Sequence, residues 1–198
     1  MKSRIIFLIF ALISLGISGQ TAKSVLDKTA ARCTQGAVQV DFSAKAKQGA
    51  SAGTLVAQGN RFTLSSPEVN IWFDGRTEWS MVKGSGEVNV FNPSAKEIAS
   101  MNPLNFINLY KKGYKMSMKT VGSNYEVHLV ASSSKQSIGE MYLYINKQTY
   151  KPAIVKLRTG KDWTAITIKN FKTLGQKPAA YFSYNAKDHP GVTVIDMR

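Results

Sequence analysis

From Val38 onward the chain alternates between apolar and polar positions. Val38, Val40 and Phe42 point one way while Gln39 and Asp41 point the other, the period of a half-buried strand. Gly53 to Ala57 predicts the next strand, and Gln58-Gly59-Asn60 turns into Arg61 to Leu64, with Phe62 and Leu64 on one face. Asn70 to Phe73, Asp74-Gly75 and Arg76 to Met81 predict a hairpin, because Asp-Gly accepts the positive φ that a two-residue turn demands. Gly84-Ser85-Gly86 makes another reversal into Glu87 to Phe91. Beyond Gly113 the alternation resumes. Tyr114 to Val121 carries Met116 and Met118 on one face, and Tyr125, Val127 and Leu129 alternate in the strand after it. Gly139 to Asn146, Ala153 to Arg158 and Trp163 to Phe171 follow, and two short apolar pieces, Ala179 to Tyr184 and Val192 to Ile195, close the chain. That spacing gives about eleven strands joined by short turns, a mainly β (α+β) chain.

Two stretches break the alternation. Thr21 to Cys33 reads as an amphipathic helix with Val25, Leu26 and Ala30 on its apolar side, ended by Gln35-Gly36. Asn92 to Tyr114 carries a second helical signal in two parts. Ser94 and Glu97 form a capping-box pattern, and Ile98 and Met101 lie one turn apart on one face. Asn102-Pro103 restarts the helix, Leu104 to Tyr110 is apolar over more than half its circumference, and Gly113 can close it in a left-handed conformation. Such a segment is far shorter than the roughly 20 apolar residues of a membrane span, so it covers something apolar. A single antiparallel sheet, curled so that one face encloses a volume capped by helices, accounts for this order of elements.

The first residues change the picture of where this fold works. Lys2 and Arg4 precede an apolar run from Ile5 to Ile17, and the small residues Ser18 and Gly19 follow, the pattern of a secretory leader. Residues 1–19 are therefore expected to be a signal peptide, leaving residues 20–198 as one domain. Without Lys2 and Arg4, 24 basic residues remain against 12 acidic ones, a net charge of +12. In an exported protein that excess points to anionic surfaces, acidic partners or simple solvation rather than nucleic acid. One cysteine excludes an internal disulfide, and Cys33 reads as a small buried residue of the first helix.

Catalytic constellations are thin. Two histidines, His128 in a strand and His189 in a turn, stand apart from each other and from Cys33, which supports neither a metal site nor a thiol nucleophile. The acidic residues are scattered and the glycines sit at turns, so no enzyme, metal or cofactor is expected. The apolar supply is larger than a thin cover needs: Phe62, Leu64, Trp72, Phe73, Trp79, Met81, Phe91, Met116, Met118 and the helix from Leu104 to Tyr110. These residues make either a plain core or a cavity for an irregular apolar ligand, to which methionine and aromatic side chains adapt. A small outer-membrane barrel would need apolar outer strand positions, whereas Gln39, Asp41, Thr63 and Glu126 are polar.

Two stretches carry a resemblance. Ile71 to Glu97, IWFDGRTEWSMVKGSGEVNVFNPSAKE, resembles the "DG-x-x-x-W-x-Y-x-P" passage of the periplasmic outer-membrane lipoprotein carrier family, the LolA-like proteins. Ala179 to Arg198, AAYFSYNAKDHPGVTVIDMR, is similar to that family's ending, "F-x-F-x-x-P-x-G-V-x-V-x-D", and the order of elements matches along the whole exported chain. The resemblance implies an incomplete, strongly curved antiparallel β-barrel whose apolar concave face is covered by short lid helices. It implies a periplasmic, monomeric, non-enzymatic carrier that shields lipoprotein acyl chains, receives them from an inner-membrane ABC transporter complex and delivers them to an outer-membrane acceptor. The cavity and lid would be lined by Phe62, Leu64, Trp72, Phe73, Trp79, Met81, Phe91, Met101, Leu104, Phe106, Ile107, Leu109, Met116 and Met118. A carrier of another lipid or hydrophobic ligand on the same fold is the alternative. One departure stands out. The family commonly places an Arg before a Pro in the strands preceding the Asp-Gly hairpin, where it helps hold the lid. Here that region reads Ala57-Gln58-Gly59-Asn60-Arg61-Phe62, without the Pro, and Arg61 is expected to be an ordinary strand charge.

Overall fold

The computed structural model describes residues 20–47, 49–94, 97, 98, 101, 102, 104 and 106–198; the expected leader, residues 1–19, lies outside them. Helix α1, Ala22–Thr34, opens the fold. Thr21 caps it, its hydroxyl accepting the Ser24 N–H at 3.1 Å, and Val25, Leu26, Thr29, Ala30 and Cys33 form its buried side. Burial pushes the Cys33 thiol up to about 12 and makes it inert.

Twelve strands follow: β1 Val38–Ala46, β2 Gly49–Gln58, β3 Arg61–Ser65, β4 Val69–Phe73, β5 Glu78–Val82, β6 Glu87–Phe91, β7 Tyr114–Val121, β8 Asn124–Ala131, β9 Glu140–Asn146, β10 Pro152–Thr159, β11 Asp162–Thr173 and β12 Thr193–Asp196. They form one sheet in the order β12-β6-β5-β4-β3-β2-β1-β11-β10-β9-β8-β7. Every described pairing is antiparallel except that of β12 with β6. The sheet does not close, since β12 and β7 remain its two edges; this is consistent with an incomplete barrel and unlike a membrane-spanning one, which must satisfy both edges.

Three expectations need correction. The Asp74-Gly75 hairpin has a four-residue loop, Asp74–Thr77, because the Asp74 carboxylate accepts the N–H groups of both Arg76 and Thr77 at 2.8 Å and the Asp74 N–H donates to the Thr77 carbonyl. Ala179–Phe182 is a 3-10 turn rather than an extended piece, preceded by extended Pro178 and turned so that Phe182 becomes fully buried. Between β6 and β7, Glu97, Ile98 and Met101 are helical, and α2 covers only Phe106–Leu109, shorter than the Leu104 to Tyr110 stretch the apolar pattern predicts. The local signals of this segment still operate. The Ser94 N–H donates to Glu97 Oε2 at 2.7 Å, the Glu97 N–H returns to Ser94 Oγ at 3.3 Å, and Asn102 Oδ1 accepts the Leu104 N–H at 2.9 Å. Gly113 follows with a φ of 84°.

Register assigns the two faces. Val40, Leu55, Leu64 and Ile71 oppose one another across β1 to β4, and Val127, Leu143 and Val155 do so across β8 to β10. These inner-face residues join the apolar side of α1 and Leu104, Phe106, Ile107 and Tyr110 in one hydrophobic cluster. The Tyr110 hydroxyl donates to Asp27 Oδ1 at 2.6 Å, pinning the end of α2 to α1; burial, and then this bond, holds the phenol protonated well above its usual range. The outer face has a smaller cover of its own, in which Phe182 packs on Ala37 and Val56.

Candidate functional site

The inner face is filled unevenly. Phe62 and Phe73 are fully buried, with ring centroids 5.2 Å apart. Further along the same strands the packing opens into a cavity of about 490 Å³, within the roughly 300–1,000 Å³ of ligand sites. Phe42, Leu64, Val69, Ile71 and Ile166 supply its apolar wall and Met101 reaches it from the helical segment. Ser66 and Glu68 stand at its margin. The Ser66 hydroxyl accepts the N–H groups of Glu68 and Val69 and donates to Glu68 Oε2 at 2.9 Å, so the polar groups of this turn are engaged with each other. Gly53 lets that turn sit close to the sheet, because a Cβ at position 53 would come within 2.2 Å of the Ser65 carbonyl oxygen. A wall of this kind offers an apolar ligand dispersion contact and release from water, with little to orient a polar substrate.

The expected lining residues fall into three groups, with Phe91 apart from them. Leu64 and Met101 line the cavity. Phe62, Phe73, Leu104, Phe106 and Ile107 are buried in the cluster, and Leu109, Met116 and Met118 pack against it half-buried. Trp72, Trp79 and Met81 are on the opposite face. Trp72 opposes Trp79 and Thr63, and Met81 opposes Asn70, while Phe73 opposes Phe62 and Glu78. Trp72 meets Tyr184 and His189 of the C-terminal segment edge-on, at 5.5 and 5.4 Å. Phe91 stands on the inner face opposite Glu78, half-buried. The strand pattern could have supplied Phe42, Ile71 and Ile166, which continue the apolar phase of β1, β4 and β11.

Glu78 is unforeseen. It lies on the inner face between Phe73 and Phe91, 2% exposed, and its Oε2 finds no hydrogen-bond partner among the described residues. Burial, with the Glu97 carboxylate adding to it, pushes this carboxyl up to about 7.

A larger recess, about 850 Å³, lies on the outer face under the C-terminal segment, but Gln39, Thr54, Asn70, Asn185 and Asp188 make about half of its wall polar. The apolar cavity is therefore the better candidate for a hydrophobic ligand. Arg61 also faces outward, its guanidinium 5.4 Å from the Phe182 ring, and takes no part in holding the inner cover. No group of three metal-ligating side chains occurs among the described residues, and no helix there is long and apolar enough to cross a membrane.

Comparison with known proteins bears on this geometry. The model of a family described as "Outer membrane lipoprotein carrier protein LolA" matches residues 13–161. That match includes the Ile71–Glu97 stretch and stops before the C-terminal one. No curated protein matches in sequence. An uncharacterized conserved protein of Thermus thermophilus superposes with a TM-score of 0.58 at 12% identity, over 89% of this chain and 99% of its own. A LolA superfamily protein of Nitrosomonas europaea gives 0.47 at 11% identity, over 83% of this chain and 98% of its own. A putative outer membrane lipoprotein-sorting protein domain of Vibrio parahaemolyticus gives 0.43 at 8%, over 81% and 95%.

Proposed function

This chain belongs to the outer membrane lipoprotein carrier (LolA) family, and from that premise we propose that it is a periplasmic, non-enzymatic carrier that shelters lipoprotein acyl chains between two membranes. The observation that carries the reading is the apolar cavity of about 490 Å³ between the inner sheet face and Met101. Each methylene withdrawn from water there is worth about 0.8 kcal/mol, so a buried length of acyl chain outweighs the cost of ordering it. The segment from Ser94 to Tyr110 acts as the lid. On this reading the Met101 portion moves to admit cargo while α2 stays tied to α1 through Tyr110 and Asp27. Residues 20–198 form the exported domain; an inner-membrane ABC transporter complex donates the cargo and an outer-membrane acceptor takes it.

A second reading, a carrier of a single-chain lipid on the same fold, draws on two observations. The cavity is small for several acyl chains, and Arg61 points outward instead of toward the lid. Native mass spectrometry of the exported chain, purified without detergent and mixed with a triacylated lipoprotein, separates the two. A stoichiometric lipoprotein complex is the expected result. A co-purified free lipid with no lipoprotein complex selects the second reading, and a protein that stays empty throughout overturns both.

A further inference from the structure

The outer face of β7 to β11 carries aromatic rings that no described element covers. In a sheet packed on one side the other face is normally polar, and the outer aromatic ring of Trp72 is met by the C-terminal segment. Across β8, β9 and β10, by contrast, His128 opposes Tyr142 and Tyr142 opposes Lys156, all on the outer side. The His128 and Tyr142 rings stack at 4.2 Å, Tyr142 and Trp163 lie 5.8 Å apart, and Trp163 is 40% exposed. Tyr142, Tyr144, Lys156 and Trp163 enclose a shallow recess of about 430 Å³.

The charge on this face is lopsided. Its carboxylates are already engaged: Glu126 with Lys119 at 3.0 Å, and Glu140 with Arg158 at 2.9 Å and His128 at 2.7 Å. The His128 bond above all holds the Glu140 carboxyl below its usual range. Lys115 and Lys156 share the face, Lys45 adjoins it on β1, and none of the three has an ion-pair partner among the described residues. Rings with an apolar body and a polar tip, beside ammonium groups that lack a carboxylate partner (Lys156 lies 5.4 Å over the Tyr144 ring), match the headgroup layer of an anionic bilayer. The rings settle at the level of the glycerol and the lysines meet phosphate.

We propose that this outer face, centred on Tyr142, Tyr144, Trp163 and Lys156, docks the protein on an anionic phospholipid surface. The inner-face cavity then stays free to accept cargo, and the inference does not depend on what the cargo is. Trp163 and Val130, the latter 39% exposed, supply the apolar contact that a purely electrostatic partner would not need.

Co-sedimentation of the exported chain with two kinds of vesicle tests the docking: phosphatidylcholine alone, and phosphatidylcholine mixed equally with phosphatidylglycerol. Binding at least tenfold stronger to the mixed vesicles, weakening with added salt, is expected. Lys156→Glu and Trp163→Ser should each lower it several-fold while leaving uptake of an apolar fluorescent probe by the cavity unchanged. If Trp163→Ser disturbs folding, the exposed Lys115→Glu takes its place. Equal binding to both vesicle types, no binding to either, or unchanged binding by the variants overturns the proposal, as does retention on an anionic polysaccharide without vesicle binding.

Discussion

Within strand β1, Val38 and Val40 are completely buried, whereas Phe42 and Ala44, on the same face of the same strand, are only partly covered. The first pair belongs to the packed end of the inner face, shared with α1 and α2. The second pair belongs to the recess end, where Met101 provides the cover from the helical segment. The chemistry of the strand does not change between them; what lies over it does. On the carrier reading proposed above, one sheet thus serves as core at one end and as binding wall at the other.

The largest test of that boundary is truncation on either side of it. Phe62→Ala in the packed end should cost about 3–5 kcal/mol of stability in urea denaturation, whereas Phe42→Ala in the recess should cost no more than about 1.5 kcal/mol. Equal losses would mean that the recess is ordinary core. Glu78 probes how dry the packed end is. Its carboxyl is raised to about 7 in the fold against 4.5 unfolded, so the folded state retains a proton that the unfolded state has released. Stability from this group is therefore greatest below about pH 4.5, falls as pH rises toward 7 and stays low above it, a loss of roughly 3 kcal/mol. Glu78→Gln should flatten that slope and raise the urea midpoint near pH 8.

Smaller effects sharpen the recess end. Met101→Asp or Leu64→Asp should weaken binding of an apolar fluorescent probe by at least tenfold, or about 1.4 kcal/mol, with little change in melting temperature. Leu104→Asp, only 2% exposed before substitution, should unfold the protein instead. Ser94→Ala removes the reciprocal cap with Glu97 and should cost about 1 kcal/mol. Hydrogen exchange would register that loss in the 94–102 segment and not in α1.

Much of this is legible in the chain. Period-two alternation locates the strands, the Ser94 cap locates the start of the second helical stretch, and the burial of Phe62, Phe73 and Leu104 follows from their pattern. The same alternation also separates Trp72 from Phe73, since neighbours in a strand point to opposite faces. Bulk and apolarity alone group Trp72, Trp79 and Met81 with the inner lining, because nothing local announces that the C-terminal segment lays Tyr184 and His189 over the outer face. The four-residue Asp74–Thr77 loop is hidden for a related reason: a side-chain oxygen captures two N–H groups that a tight turn would have used differently. Glu78 cannot be foreseen either, because its burial comes from Phe73, Phe91 and the cover rather than from its own neighbours in sequence. Local rules select the elements, and long-range cover decides which face becomes the site.

Photo-crosslinking with a fatty acid that carries a diazirine along its acyl chain tests the division of the inner face most directly. Peptide mapping should place the label on Phe42, Leu64, Ile71, Met101 or Ile166. Labelling confined to the outer recess around Trp72 and Tyr184, or spread evenly over the surface, would contradict it.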